Sequence, residues 1–247
     1  VGLKNYIRVF TSDPLFWKSI LNTVKIMIIA MPLTIVSGLL VAVLMFNMVR
    51  GRQLIQTINF LPYITMPIAI GLIFANMFNT NIGVVNTILM KLGIISEKIN
   101  WLGDSKYAFV VVILICIWKN FGYNTIIYLA ALTGIDPTLY EAAMVDGAGR
   151  MTIMCRILLP VLKPGIVAVS AFTFIGCWNE FLVAFTFIQT QRKFTIPVGL
   201  KTMIGEYSVN YPALAAGSVI ALIPPVILFA IIQKHLVAGL SAGAVKG

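Results

Sequence analysis

Several polar side chains interrupt the apolar segments of this 247-residue sequence, and they are the residues best able to do chemistry. If those segments cross a membrane, an ionisable or amide group within them costs free energy unless it is paired or faces water, which indicates a solute pathway. Amides and carboxylates can hydrogen-bond a polar solute, and aromatic rings can stack on its apolar faces. The same groups can also hold helices together, and Glu180 could instead pair with Lys119. The candidate pathway residues are Asn120, Tyr123, Asn124, Trp178, Asn179 and Glu180.

A second polar feature is the stretch Tyr140–Pro160, YEAAMVDGAGRMTIMCRILLP, which lies between two strongly apolar segments. Asp136 followed by Pro137 is typical of a helix N-cap and first helical residue, so a short helix is predicted to begin there. Gly147 and Gly149 permit a turn with positive φ. The pattern predicts two short helices joined at a glycine elbow, in a projection too polar to be buried in lipid.

The second short helix is expected over residues 150–158, RMTIMCRIL. Pro160 together with Pro164 is expected to end it before the chain re-enters the membrane. On physical grounds alone, an ordinary helical loop with well-formed caps explains this stretch equally well, because caps and glycines are common in loops.

The composition places these features in a membrane protein. Hydrophobic residues make up 60% of the chain and charged residues 11%, with a mean hydropathy of +0.97, which leaves too little polar surface to cover a soluble globule. The formal charge of +10 fits basic side chains that meet lipid headgroups or anchor span ends. No basic stripe with interleaved aromatic residues is present, which argues against nucleic-acid binding. We therefore expect an all-α polytopic membrane protein.

Five segments have the length and apolarity to cross a bilayer. Residues 79–106 are mixed and are predicted to lie on the membrane, with a short amphipathic helix and an interfacial Trp101. Lys and Arg are divided almost evenly between the two sides, so charge does not settle the orientation. Five spans place the chain ends on opposite sides, and a sixth, N-terminal span is expected to be missing before Val1. The predicted spans are residues 21–48, 54–78, 107–132, 165–188 and 213–232.

The spacing within the polar stretch resembles the EAA loop of ABC importer permease subunits, whose pattern is EAA, three residues, Gly, nine residues, then I-x-L-P. Glu141-Ala142-Ala143, Gly147 and Ile157–Pro160 match every defining position. The resemblance implies a type I importer permease fold in which residues 133–164 form a cytoplasmic loop that docks into a separate ATP-hydrolysing subunit. The implied coupling residues are Glu141, Ala142, Ala143, Asp146, Gly147, Ile157, Leu159 and Pro160.

Each part of this loop has a physical role under that resemblance. Glu141 offers a charge for a basic residue of the partner, although it could also be a solvated helix charge. Ala142 and Ala143 allow two backbones to approach closely, and Gly147 supplies the elbow. The sequence contains no GxxxxGK[ST] phosphate-binding loop, so ATP and Mg are expected on a partner ATPase and no cofactor is expected on this chain.

The chain as a whole resembles the carbohydrate-uptake branch of these permeases, which includes the maltose and glycerol-phosphate importers. NFLPYITMPIAIGLIF and WKNFGYNTIIYLAAL resemble the first permease of such pairs, whereas FIGCWNEFLVAF and FTIPVGL resemble the second, with the change near residue 165. The resemblance implies that residues 1–247 form one transmembrane domain in a bacterial or archaeal cytoplasmic membrane. It also implies a pathway for a sugar or oligosaccharide delivered by an extracytoplasmic binding protein.

The implied partners are a second permease subunit, two ATPase subunits, the binding protein and membrane lipid. A heterodimer of permeases is expected. The alternatives are a homodimer, a natural intermediate between the two permease types and an engineered fusion of two permeases.

Two other classes of function explain the sequence less well. In an ion-coupled secondary transporter, Glu180 and Lys119 could be coupling groups, but a docking projection would be unnecessary. An integral membrane enzyme is disfavoured because we find no metal cluster, nucleophile motif or histidine placed as a base, so no catalytic or metal residue is predicted. His235 is interpreted as a headgroup-level side chain. The three cysteines are interpreted as small apolar residues: Cys116, Cys155 and Cys177.

Overall fold

A computed structural model describes residues 2–46, 48, 50–205 and 208–244 of the chain, without the side chains of residues 137, 150, 151 and 234–244. Its regular structure is helical, which confirms the all-α prediction, apart from one isolated antiparallel bridge between Ile204 and Val209. The first helices in chain order are α1 (Lys4–Ser12), α2 (Pro14–Phe46), α3 (Arg52–Ile64), α4 (Pro67–Met77), α5 (Val84–Lys91) and α6 (Ser105–Thr133). The others are α7 (Pro137–Val145), α8 (Arg150–Ile153), α9 (Leu159–Val161), α10 (Lys163–Trp178), α11 (Leu182–Phe187), α12 (Ile196–Lys201) and α13 (Tyr211–Ala244).

The chain divides into two compact units, each assembled from discontinuous segments. Unit 1 comprises Val1–Met31, Ile64–Ile117 and Ile175–Pro225. Its largest apolar core is built from buried residues of α2, α4, α6 and α11, including Ile26, Ile70, Val111, Ile115 and Phe187.

Unit 2 comprises Pro32–Tyr63, Trp118–Phe174 and Val226–Gly247. Its core joins residues of α2 and α6 to residues of the polar stretch, including Ala42, Met45, Leu129, Leu132 and Ile153. The polar stretch is therefore packed onto membrane-spanning helices of its own unit and is not a loosely attached loop.

Among the described residues, four helical stretches are long and apolar enough to cross a membrane: Pro14–Phe46, Ser105–Thr133, Lys163–Phe187 and Tyr211–Gln233. They confirm four of the five predicted spans. The first begins earlier than predicted because the Asp13 carboxylate accepts hydrogen bonds from the N–H groups of Leu15 and Phe16, both at 3.0 Å, which caps α2 at residue 14.

The segment of the second predicted span, residues 54–78, is not a single straight helix. The segment forms α3 and α4, which are bent by 96° at the break between them. Pro67 at the start of α4 lacks an N–H donor and disfavours helical dihedrals at the preceding residue, and Met66 is accordingly extended, with φ −56° and ψ 127°. By length and composition this pair is a broken span or a re-entrant segment.

The region predicted to lie on the membrane contains the expected short helix, α5, followed by a loop that is tied to the core of unit 1. Asn86 is buried, and its Oδ1 accepts hydrogen bonds from the Trp101 indole at 2.8 Å and from the Ile99 N–H at 3.2 Å. Trp101 also packs edge to face against Phe78 and Tyr107. Trp101 is thus a packing residue of unit 1, and its position relative to the headgroups stays a prediction.

The cysteines differ in their environments. Cys116 and Cys177 are buried, as expected of small apolar residues, whereas Cys155 is exposed. Cys155 therefore does not serve as a small apolar residue of a core, because it lies on an outward side of the polar stretch. His235 falls in the part of α13 whose side chains are not described.

Candidate functional site

The polar stretch begins with the helix cap that the sequence predicts. The Asp136 carboxylate accepts a hydrogen bond from the Thr138 N–H at 2.9 Å, and Pro137 occupies the first helical position, where its missing N–H costs nothing. Helix α7 therefore starts only four residues after α6 ends at Thr133. This short connection holds α7 close to the end of a membrane span.

Helix α7 ends in a Schellman motif centred on Gly147. Gly147 has φ +77°, its N–H donates to the Met144 carbonyl at 3.1 Å, and the Ala148 N–H donates to the Ala143 carbonyl at 3.0 Å. Gly149 does not adopt a positive φ. The predicted elbow is confirmed, but Gly147 alone makes it, because the motif needs one left-handed residue.

The two sides of α7 have different environments. Ala143 is 6% exposed and packs into the core of unit 2, with Tyr140 partly buried beside it. On the outward side Glu141 is exposed, Met144 is 57% exposed and Val145 is 87% exposed. Met144 and Val145 together leave adjoining apolar surface beside the Glu141 carboxylate, and adjoining exposed apolar side chains are more informative than a single one.

The second arm of the stretch extends three residues beyond the predicted helix over residues 150–158. Helix α8 continues through a π-helical segment, Met154–Leu158, into α9, which contains Pro160 and ends at Val161, between Pro160 and Pro164 as expected. The Leu159 N–H bonds the Met154 carbonyl, five residues back. The π-helical turn therefore contains one residue more than an α-helical turn. In a regular α-helix the ring of Pro160 would clash with the carbonyl four residues before it, and the π-helical turn changes the backbone at that point.

The buried residues of this second arm attach it to unit 2. Ile153, Leu158 and Leu162 are each at most 7% exposed and belong to the core cluster. Ile157 and Leu159 are partly buried, whereas Pro160 is exposed. Within this I-x-L-P part, Ile157 and Leu158 pack in the core cluster, and Leu158, which the motif leaves undefined, is the most buried of the four residues.

Within unit 2, Asn124 is committed to a partner inside the protein. Asn124 is 1% exposed, its amide donates to the Thr173 hydroxyl at 2.9 Å, and that hydroxyl donates back to its Oδ1 at 3.2 Å. Next to it the Thr125 hydroxyl bonds the Gly38 carbonyl at 3.3 Å and the Phe121 carbonyl at 2.8 Å. This network connects α6 to α10 and to α2, which is the helix-joining role that the sequence left open for such residues.

An aromatic group in unit 2 surrounds Tyr123. The rings of Tyr63 and Tyr123 stack with centroids 4.5 Å apart, and Phe60 and Phe172 lie against them at 5.6 and 5.9 Å. Tyr63 is 39% exposed and Phe172 is 51% exposed, so the group presents open aromatic surface. Sequence reasoning missed Tyr63, because no spacing rule connects a residue of α3 with one of α6.

Asn120 lies one helical turn before Tyr123 on α6 and is partly exposed, as is Tyr123 itself. Residues three apart on a helix are neighbours on its surface. Of the three polar residues predicted on α6, the structure therefore leaves Asn120 and Tyr123 accessible and encloses Asn124.

The predicted residues at positions 178–180 lie in unit 1. Trp178 is 3% exposed and its indole N–H donates to the Ala221 carbonyl at 3.0 Å. Asn179 is exposed at a cavity of about 310 Å³ that it shares with Trp178, Ser218 and Leu222. The Glu180 carboxylate accepts a hydrogen bond from the Val183 N–H at 3.1 Å, in the first turn of α11.

These three residues mark a break between α10 and α11. Glu180 stabilises the start of α11 and Trp178 anchors the end of α10, so both have structural roles whatever else they do. Of the three, Asn179 is the most exposed, Glu180 is partly exposed and Trp178 is buried. Within the described residues, no group of three or more His, Cys, Asp or Glu side chains is placed to hold a metal ion.

Residues 16–242 match the family described as binding-protein-dependent transport system inner membrane component. The lactose transport system permease protein of Rhizobium radiobacter is 36% identical over 189 residues, which are 76% of this chain and 63% of that protein. The sulfoquinovosyl glycerol permease protein of Agrobacterium fabrum is 34% identical, over 90% of this chain and 71% of its own length. The chain thus spans less than two thirds of the lactose relative.

The fold is similar to that of solved transporters. A crystal structure of a bacterial ABC transporter involved in the import of the acidic polysaccharide alginate superposes with a TM-score of 0.82 at 25% identity, over 95% of this chain and 84% of that chain. An amino acid ABC transporter superposes with a TM-score of 0.61 at 14% identity, which shows the fold alone. The helices described above therefore form the fold of ABC importer permeases.

Proposed function

The chain belongs to the family of inner membrane components of binding-protein-dependent transport systems, and we propose that it is a permease subunit of an ATP-driven sugar importer. In this proposal it pairs with a second permease subunit to form the pathway for a sugar or oligosaccharide. A binding protein outside the membrane delivers the solute, and two ATPase subunits bind ATP and Mg. Relatives named for lactose and sulfoquinovosyl glycerol transport support a carbohydrate as the solute.

The observation that carries the proposal is the outward side of α7. Glu141 and the exposed apolar side chains of Met144 and Val145 stand together on a capped helix at the end of a span. Covering apolar surface of this kind with a partner protein lowers the free energy. The Glu141 carboxylate favours a partner that places a basic group at the edge of the contact. We propose that this surface is the docking site for the ATPase subunit.

The packing behind that surface supports a mechanical role. Ala143 of α7 and Ile153 and Leu158 of the second arm lie in one core cluster with Met45 of α2 and Leu132 of α6. Close-packed cores transmit displacement because they have little free volume. A movement imposed on α7 by closure of the ATPase would therefore be passed to the ends of two membrane spans.

For the solute pathway we propose the accessible residues of unit 2. Tyr63 and Tyr123 offer ring faces on which the apolar side of a sugar can stack, and Asn120 offers an amide for its hydroxyl groups. Asn124 is enclosed with Thr173 and is left out of this accessible surface. Asn179, at the cavity of unit 1, is a further proposed contact.

The test is purification of the protein with its partners, followed by measurement of solute-stimulated ATP hydrolysis. We expect the ATPase to co-purify, and Val145→Glu to abolish its recovery because a charge would have to be buried at the docking surface. Ile82→Glu is the matched control, since Ile82 is also an apolar side chain, 77% exposed, but lies in unit 1.

Two results would contradict the proposal. One is recovery of the ATPase with Val145→Glu at the level seen with Ile82→Glu, which would exclude docking through α7. The other is uptake by the reconstituted chain without any ATPase, which would favour an ion-coupled secondary transporter.

A further inference from the structure

Helix α1 packs onto unit 1 along only one of its sides. Val9 is 2% exposed and Tyr6 is partly buried, and both lie in a cluster with Phe16 of α2 and Ala216 and Ile220 of α13. This contact fixes how the helix is rotated about its axis. The remaining sides of α1 face away from the chain.

An apolar stripe runs along one of those outward sides. With about 100° of rotation per residue, Leu3, Ile7 and Phe10 fall on the same side of the helix. They are 72%, 60% and 41% exposed. Lys4 and Arg8, each one residue further along, form a basic stripe directly beside the apolar one, and both are exposed.

The position of α1 relative to a membrane span is also fixed. Asp13 alone separates it from α2, and α2 is the first candidate span. The indole N–H of Trp17 donates to the Phe10 carbonyl at 2.7 Å, and the Phe10 and Trp17 rings pack edge to face with centroids 5.0 Å apart. Helix α1 is therefore held against the N-terminal end of α2.

Basic side chains outnumber acidic ones around this surface. Lys4, Arg8 and Lys18 are exposed, and Asp13, the one acidic residue between positions 2 and 18, has its carboxylate engaged in capping α2. A surface that combines an open apolar stripe, a basic stripe and an exposed tryptophan matches the boundary between lipid chains and anionic headgroups.

We infer that α1 is an interfacial helix whose partner is anionic lipid. Leu3, Ile7 and Phe10 enter the outer part of the acyl-chain region, and Lys4, Arg8 and Lys18 bind the phosphate groups of the headgroups above them. This inference concerns a surface of unit 1 and stands apart from the ATPase docking surface on α7.

The depth of the helix can be measured by spin-label accessibility in lipid nanodiscs that contain phosphatidylglycerol and phosphatidylcholine. Cys155→Ser removes the exposed cysteine and leaves Cys116 and Cys177, which are buried. In this background, Ile7→Cys and Arg8→Cys each carry a nitroxide. We expect the label at position 7 to collide preferentially with oxygen, which concentrates in the acyl region, and the label at position 8 with a water-soluble nickel chelate.

Val145→Cys in the same background is the control, because Val145 is an exposed apolar residue assigned to a protein partner and should favour the nickel chelate in the absence of the ATPase. Equal access of the chelate to positions 7 and 8 would overturn the inference. Shelter of position 7 from both reagents would overturn it as well, because that result would show a protein covering the stripe.

The headgroup preference is tested separately through Trp17. Its quenching by brominated phosphatidylglycerol and by brominated phosphatidylcholine is obtained from the difference between the protein and its Trp17→Phe variant. We expect a preference for phosphatidylglycerol that falls about fivefold for each charge removed by Lys4→Gln, Arg8→Gln or Lys18→Gln. Lys91→Gln, an exposed lysine on α5, should leave it unchanged. A preference that survives removal of all three charges would overturn the assignment of anionic lipid.

Discussion

The indole N–H of Trp178 donates a hydrogen bond to the carbonyl oxygen of Ala221 at 3.0 Å. In a regular helix that carbonyl would accept from the N–H of residue 225, but Pro225 has none, so the proline in α13 leaves the carbonyl without its usual donor. Trp178 supplies the donor from α10. This pair explains how a proline is tolerated inside a span and why a large aromatic residue is buried beside it.

The Trp178 bond predicts a coupling between positions 178 and 225. Trp178→Phe should lower the free energy of unfolding by about 1 kcal/mol through the lost bond, beyond any change in packing. In a Pro225→Ala background the loss should be smaller, because the new N–H can bond the Ala221 carbonyl within the helix. Unfolding of the four proteins of this double-mutant cycle in a denaturing detergent measures the coupling, and equal losses in both backgrounds would contradict it.

The aromatic group predicts a separation of solute binding from stability on α6. Tyr63→Leu should raise the solute concentration that half-maximally stimulates ATP hydrolysis by roughly 2- to 10-fold, because it removes one stacking surface. Asn124→Ala should instead lower stability by about 1 kcal/mol, because it leaves the Thr173 hydroxyl without its partner, and should leave that concentration unchanged. The reverse pattern would place Asn124 in the pathway and Tyr63 outside it.

Gly122 is predicted to be irreplaceable at the contact of α6 with α3. A Cβ added there would lie only 1.7 Å from the carbonyl oxygen of Asn59, so Gly122→Ala forces two backbones apart and should cost about 3 kcal/mol or more. Gly134, just after the end of α6, is the control, because its added Cβ meets nothing closer than 3.6 Å. The yield of folded protein after purification is compared for the Gly122→Ala and Gly134→Ala variants. Comparable yields for Gly122→Ala and Gly134→Ala would show that the contact is not tight.

Gly147 is predicted to matter for its backbone conformation alone. Nothing lies within 4 Å of an added Cβ, but φ is +77°, so Gly147→Ala should cost about 1–2 kcal/mol and loosen the elbow. Gly149→Ala, also in open space and without a positive φ, should be close to neutral. Protease sensitivity of the stretch between α7 and α8, measured for both variants, should rise only for the first. An equal rise in protease sensitivity for both variants would show that the positive φ of Gly147 is not the cause.

Features that depend on neighbouring residues could be predicted from the sequence. Apolar length indicated four of the spans, because a backbone that crosses hydrocarbon has to be helical and covered by apolar side chains. The cap at Asp136 and the elbow at Gly147 were predictable for the same reason, since each is a hydrogen-bonding pattern within a few residues. Local rules did not predict the π-helical segment ahead of Pro160, or the sharp bend between α3 and α4 within the second predicted span.

What the sequence by itself determined is the membrane location, the helical spans and the EAA projection with its cap and elbow. Only the tertiary structure decided which polar residues are accessible. Asn124 is enclosed where α6 packs on α10, and its amide bonds the Thr173 hydroxyl. Trp178 is enclosed where α10 packs on α13, and its indole N–H bonds the Ala221 carbonyl, which lacks its usual donor within the helix. Tyr63 is a candidate contact for the solute because its ring stacks on that of Tyr123. Each of these depends on which helices pack together, and a contact between distant segments leaves no periodicity in either segment from which it could be predicted.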